Sequence, residues 1–376
     1  MPLFRTPPVI FPFLGHRSAT RLRIGARALR SQHPRWDHDS RFAKMRALVS
    51  HFASREYAGL PVQLELRSPS GAVSRHGGFT DDEGYIHFDI ALDAGDADGW
   101  ALPQHTEWET ACFAWNDGDG ARTAEAYILT PGTDADLAVI SDIDDTIIET
   151  GITGGFRSVL RNWKRILAQM PAERMQVPGA DRFYGALSGG SVPAAGKHLP
   201  ATRHPFFYIS SSPWNLFPYL TTFMRSRKLP LGPLELRDWG LNRETLGSAS
   251  HGAHKVASMQ RLLDFYPDMR FALIGDDTQA DLVAFARIVM RRPERIAAIF
   301  IRKAGEAHSP EETEAKADIV RAGVPLWLGS EYDVGQEFLE SIGLGHDHEA
   351  ERIVETVRET NDGGAGGAGS ASAASA

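Results

Sequence analysis

Leu137-Ala-Val-Ile-Ser-Asp142-Ile-Asp144-Asp145-Thr146-Ile-Ile148 is the stretch on which the fold turns. Its first half is apolar and partly β-branched, without polar alternation, which is the pattern of a strand buried on both faces of a parallel sheet. It then places three carboxylates within four residues. Neighbouring acids raise the cost of ionising one another, and a buried carboxylate without a partner costs several kcal/mol. The carboxyl ends of strands in open α/β sheets are where ligands bind. A Mg²⁺ ion held by oxygen ligands would relieve the repulsion. A plain helix cap would need one of these aspartates, not three. An EF-hand loop is excluded, because Ile147 stands where that loop requires glycine.

Working outward, the pattern continues as short apolar runs alternating with amphipathic segments. Strands are expected at Leu137–Ile143, Pro205–Ser210, Phe271–Gly275, Ile296–Arg302 and Val324–Leu328. Helices are expected near Phe156–Gln169, Pro213–Lys228, His254–Tyr266 and Thr278–Met290, with Ser212 as an N-cap before Pro213. This alternation predicts an α/β fold with a doubly wound, mostly parallel sheet. Before Pro131-Gly-Thr-Asp134 the period is two: Leu22, Ile24, Ala26 and Ala28, then Val62, Leu64 and Leu66, then Ile86, Phe88 and Ile90, then Ala124, Ala126 and Ile128. Gly- and Asp-rich turns separate these runs, so a β-rich, sandwich-like N-terminal domain with antiparallel strands is expected. A polar segment around Arg41 to Phe52 reads as helical. The domains are therefore residues 1–134, 135–345, and a C-terminal part, 346–376, whose Gly/Ala/Ser tail cannot bury a core.

Composition narrows the function classes. The chain has 376 residues, 42% hydrophobic and 9% aromatic, as in an ordinary globular protein. Its net charge of −8 supplies no global attraction to nucleic acid or anionic lipid. The single cysteine, Cys112, excludes an intramolecular disulfide framework and fits a reducing compartment. No apolar run is long enough to span a bilayer, and the proline-rich start does not read as a signal peptide, so a cytoplasmic location is expected. His51, His76, His87 and His105 are scattered and read as structural or surface histidines.

Three strands run into polar groups suited to one reaction. The first carries Asp142, Asp144 and Asp145. The second runs into Ser210, Ser211 and Ser212 beside an expected helix N-terminus, where N–H groups favour a phosphate oxygen. The third runs into Asp276 and Asp277, with Asp281 a turn later. His254-Lys255 starts a helix from which the lysine can reach back towards phosphate as a point charge.

In Ile140-Ser-Asp-Ile-Asp-Asp-Thr-Ile147, Tyr208-Ile-Ser-Ser-Ser-Pro-Trp-Asn215, Leu236-Arg-Asp-Trp-Gly240, His254-Lys255 and Ile274-Gly-Asp276 the chain resembles the actin-patch-protein family of Mg²⁺-dependent phosphatidate phosphatases. That family lies in the haloacid dehalogenase superfamily and has the lipins among its relatives. The resemblance covers about Leu137 to Arg302. It implies that Asp142 is a nucleophile forming an aspartyl-phosphate, and that Asp144 protonates the leaving alkoxide and then activates water. A carboxylate nucleophile splits hydrolysis into two easier displacements, and an acid for the leaving group contributes about 10²–10⁴-fold. Mg²⁺ would sit among Asp142, Asp144, Asp276 and Asp281. Ser210 and Lys255 would join the catalytic set, with Thr146, Ser211, Ser212 and Lys255 binding the substrate. Asp277 departs from the family pattern, where a small hydroxyl residue is usual, and leaves open which of Asp276, Asp277 and Asp281 ligates the metal.

The resemblance implies hydrolysis of phosphatidate to diacylglycerol and phosphate. The alternatives are a phosphatase of a soluble phosphomonoester and a non-catalytic phosphatidate-binding module; Asp144 argues against the last. A helix at Phe156–Leu167 would carry Phe156, Val159, Leu160, Trp163 and Leu167 on one face and Arg157, Arg161, Lys164 and Arg165 around the other. Such a helix can pack on the sheet with its charges solvated, or touch an anionic membrane peripherally.

Overall fold

The computed structural model describes residues 6–30, 56–92, 99–143, 179–192, 199–237, 249–277, 280–303, 309–329, 338–339, 341–342 and 344. The four period-two runs fall in β3 (Arg21–Arg30), β4 (Pro61–Arg67), β6 (Tyr85–Ala91) and β8 (Ala121–Thr130), and the structure adds β1 (Pro8–Pro12), β2 (Gly15–Arg17), β5 (Val73–Phe79) and β7 (Glu107–Asn116). In β4, Val62, Leu64 and Leu66 are buried, while Pro61, Gln63 and Arg67 are exposed. Hydrogen bonding runs β1-β3-β2-β8-β7-β4-β5, and β6 also pairs with β3. Every join is antiparallel except β2 with β8.

That parallel join changes the expected sandwich. β1 and β2 follow β3 in turn, and β2 then passes to β8, so one interrupted strand turns the corner between the layers. Ile24, Ile86 and Phe88 of one layer share a core with Leu64, Phe113 and Ile128 of the other. The Phe88 and Phe113 ring centroids are 6.0 Å apart. The segment Arg41 to Phe52 lies outside the described residues, as do the Phe156–Gln169 helix and the Gly/Ala/Ser tail.

The second sheet is built from β9 (Leu137–Asp142), β12 (Phe206–Pro213), β13 (Leu234–Arg237), β14 (Arg270–Asp276), β15 (Ile296–Arg302) and β16 (Leu326–Gly329). A small hairpin, β10 (Ser191–Val192) with β11 (Ala201–Thr202), precedes β12. Five helices are described: α1 (Ala180–Leu187), α2 (Phe217–Ser226), α3 (Ala249–Phe265), α4 (Asp281–Val289) and α5 (Pro310–Arg321). The strand order is β13-β12-β9-β14-β15-β16, parallel throughout. From β9 the chain moves outward to β12 and β13, then returns to the other side of β9 at β14. The order therefore reverses between β9 and β14, which opens a crevice at their carboxyl ends. Every residue of β9 is buried. Val139 packs with Tyr208 and Phe300 on one face, and Ile140 with Leu262 and Ile299 on the other. Two-sided burial is why the strand lacks alternation.

Several boundaries differ from the expected ones. β12 continues through Ser212 to Pro213, and a 3-10 turn, Trp214–Leu216, precedes α2. Ser212 is therefore strand, not an N-cap. α3 begins at Ala249, which moves Lys255 from a helix start to the second turn. β13 was not anticipated, since four residues with a central Glu235 show too little pattern. α5 carries an overlooked capping box: Ser309 Oγ accepts from the Glu312 N–H, and Glu312 accepts from the Ser309 N–H.

The two sheets are not packed as separate bodies. Phe13, Leu29 and Tyr85 join the core on one face of the parallel sheet, and Trp108 and Leu129 join that on the other.

Candidate active site

β9 brings Asp142 to the reversal point with its side chain on the face covered by α3. Apolar residues of α3, among them Val256, Met259 and Leu262, anchor that helix on the sheet, and this carries Lys255 inward until only 2% of it is exposed. Its Nζ stands 3.0 Å from Asp142 Oδ1 and also hydrogen-bonds Asp281. β14 brings Asp276 alongside. The chain then turns through Ala280, whose φ is +61°, and places Asp281 in the first turn of α4. Asp281 Oδ2 accepts the Asp276 N–H at 3.1 Å.

Asp142, Asp276 and Asp281 each offer a carboxylate oxygen within 4.8 Å of the others, and all three are buried. Burial works against the Lys255 ammonium, but the Asp142, Asp281 and Asp276 carboxylates outweigh it and shift its pKa upward. One ammonium facing three carboxylates leaves negative charge in excess. An all-oxygen donor set of this kind fits a hard divalent cation. Asp277 does not belong to this cluster: it is half-buried, and its N–H bonds the Arg302 carbonyl. Of the three candidates left open by the sequence, Asp276 and Asp281 are the ones brought to Asp142.

Ile209 of β12 lies opposite Asp142 in register, so Ser210, Ser211 and Ser212 continue just past the level of Asp142, all buried. Ser210 Oγ accepts the Ser212 N–H at 2.9 Å. Asp144 and Thr146 lie outside the described residues. His76 and His105 bond to Ser74 and Asp134 and are not part of the carboxylate cluster.

The structure gives a steric role to Gly275, which stands in the quoted Ile274-Gly-Asp276 motif, and adds Tyr184 to the site. A Cβ at Gly275 would stand 2.6 Å from Asp281 Oδ2, so only glycine lets Asp281 fold back against β14. The glycine just before Asp276-Asp277 was the available signal. Tyr184 of α1 places its hydroxyl 2.6 Å from Ser141 Oγ, which donates to the Asp142 carbonyl at 2.7 Å. No local pattern marks that contact.

Residues 137–303 match the family model described as phosphatidate phosphatase APP1, catalytic domain. This region is similar to that catalytic domain. Over 166 residues the chain is 30% identical to phosphatidate phosphatase APP1 of Saccharomyces cerevisiae, covering 44% of this chain and 26% of that protein. Over 168 residues the chain is 30% identical to an uncharacterized protein of Schizosaccharomyces pombe, covering 44% of this chain and 25% of that one. The match thus spans about a quarter of each curated relative's length. A superposition on Parabacteroides merdae β-glucuronidase covers 81% of this chain and 42% of that one at 7% identity, with a TM-score of 0.26, from which nothing follows. The matched region begins at the first residue of β9 and ends one residue past β15, so it contains Asp142, Ser210, Lys255, Asp276 and Asp281.

Proposed function

We propose that the protein is a Mg²⁺-dependent phosphatidate phosphatase that works through an aspartyl-phosphate on Asp142. The observation that carries this reading is the buried pair of Asp142 and Lys255, at the end of the central strand of the region that matches the APP1 catalytic domain. Asp142 attacks phosphorus, and the bond from phosphorus to the glycerol oxygen breaks. Asp144, in the role implied by the family resemblance, gives its proton to that oxygen and diacylglycerol leaves. Asp144 then takes a proton from water as the water attacks phosphorus. Phosphate departs and the Asp142 carboxylate is restored. Lys255, Ser210, Ser211 and Ser212, with Thr146 in the role implied by the family resemblance, would supply positive charge and hydrogen-bond donors to the phosphoryl oxygens. Asp142, Asp276 and Asp281, with Asp144, would hold Mg²⁺, which supplies positive charge to those oxygens.

In this reading residues 1–134 form a β-rich domain, 135–345 the catalytic domain and 346–376 a tail. Among the described residues no helix is long and apolar enough to cross a membrane. A cytoplasmic protein would meet its lipid by peripheral contact, with Phe156–Leu167 as the basic and aromatic segment suited to it. The test is phosphate release from phosphatidate in mixed micelles beside release from p-nitrophenyl phosphate, each with MgCl₂ and with EDTA. Mg²⁺-dependent release favouring phosphatidate is expected. Preference for the soluble ester would make the protein a phosphatase of soluble monoesters, and binding of phosphatidate without turnover would make it a lipid-binding module.

A further inference from the structure

We propose that the N-terminal sheet holds the Ser210–Ser212 segment in its working position through Phe13 and Trp214, which makes Phe13 a positioning residue. The proposal rests on the reading that these serines receive a phosphoryl group.

Donors aimed at a phosphoryl group act through fixed geometry, so the segment that carries them has to be immobilised by something. Ladder pairing with β9 ends at Ile209, opposite Asp142. Pairing with β13 breaks between Ile209 and Pro213. The three serines thus lie past the ladder with β9 and within the irregular stretch of the β13 pairing, which resumes with Pro213 opposite Arg237. A helix cap does not take over, because neither the 3-10 turn at Trp214 nor α2 has a side-chain cap bond.

A further hold comes from the other sheet, through packing on Trp214. Phe13 sits in the break between β1 and β2, 2% exposed, with its N–H bonded to the Gly25 carbonyl at 2.8 Å. Its ring stacks on Trp214 with centroids 4.4 Å apart and planes at 26°, and meets Phe217 at 4.7 Å. Tyr85 lies behind it at 6.3 Å. Only Pro213 separates Trp214 from Ser212, and a proline ring with φ at −73° leaves that link little freedom. A second tie braces the adjoining strand: Glu235 of β13 lies 3.4 Å from Arg23 of β3 and 3.0 Å from Arg261 of α3. The β-rich half therefore acts on phosphate affinity, and it does so without touching the substrate.

The experiment measures orthovanadate binding by calorimetry in MgCl₂, on the full chain, beside thermal unfolding. Phe13→Leu keeps an apolar side chain but no ring, and Trp214→Leu makes the same change at a half-buried position that tolerates it better. Both are expected to bind vanadate about ten- to a hundredfold more weakly while unfolding cooperatively, since a displacement of about 1 Å can cost 10²-fold. Trp214→Phe, which restores a ring, is expected to recover most of the affinity. Folded Trp214→Leu with wild-type vanadate affinity would overturn the proposal, and so would equal losses in Trp214→Phe and Trp214→Leu. Ser210→Ala tests the underlying reading separately: undiminished vanadate binding there, or none by the wild-type protein, would overturn both.

Discussion

The ammonium of Lys255 lies 3.0 Å from Oδ1 of Asp142, and both side chains are buried. Removing one partner of a buried pair leaves the other uncompensated, at a cost of about 3–5 kcal/mol. Lys255→Met should therefore be destabilised and should lose about 10²–10³ in kcat/KM, the usual effect of deleting one preorganised charge. Added MgCl₂ should recover part of the stability, because a cation that binds the folded state raises it by mass action. Urea unfolding with and without MgCl₂, beside kinetics, checks both parts. Wild-type kcat/KM in the variant would leave Lys255 a purely structural cation.

Asp142→Asn keeps the shape of the side chain and removes the nucleophile. Lys255 retains Asp281 as a partner, so the variant should fold with near-normal stability and show no turnover. Thermal unfolding beside phosphate release measures this, and residual turnover near the wild-type rate would remove Asp142 from its role.

Gly275→Ala places a methyl group 2.6 Å from Asp281 Oδ2. Asp281 must move, so activation should require a higher Mg²⁺ concentration at little cost to the rate at saturation. An unchanged Mg²⁺ activation midpoint would mean that Asp281 is not a ligand.

Tyr184→Phe retains the stack on Phe206, with centroids 5.7 Å apart, and deletes only the hydroxyl beside Ser141. A stability loss of about 0.5–1.5 kcal/mol is expected, with a lower kcat as the peptide leaving Asp142 gains freedom. Denaturant unfolding and steady-state kinetics read the two effects. A change in neither would show that the hydroxyl supports nothing at Asp142.

His16 gives the fold a pH dependence. Burial lowers its pKa to about 4 from 6.5, with the nearby Glu235 opposing the shift. Its Nδ1 meets the Tyr266 hydroxyl at 2.9 Å, while Nε2 is buried without a partner. Between those pH values the unfolded chain binds a proton that the folded one refuses, so stability rises with pH. The contribution is present above pH 6.5 and is lost as pH falls towards about 4, to the extent of ~3 kcal/mol. His16→Asn, which cannot titrate, should flatten the slope of unfolding free energy across this window. An unaltered slope would place the proton uptake elsewhere.

The primary structure alone determined the parallel sheet, its central strand and the acids at the strand ends. Burial on both faces demands an unbroken apolar run, and that demand is written locally in Leu137 to Ile140 and again in Phe271 to Ile274. The β-rich first half was legible through a different signal, the alternation of β4, in which Val62, Leu64 and Leu66 are buried between more exposed neighbours. Tertiary structure alone decided the rest. Whether Asp276, Asp277 or Asp281 faces Asp142 depends on the left-handed turn at Ala280 and the missing Cβ of Gly275. Lys255 became a buried cation because α3 starts at Ala249 and lies flat on the sheet. The stack of Phe13 on Trp214 joins residues from opposite sheets. Local patterns record how much of a side chain must be hidden and how the backbone bends; which distant groups then meet is set by the packing of whole elements against one another.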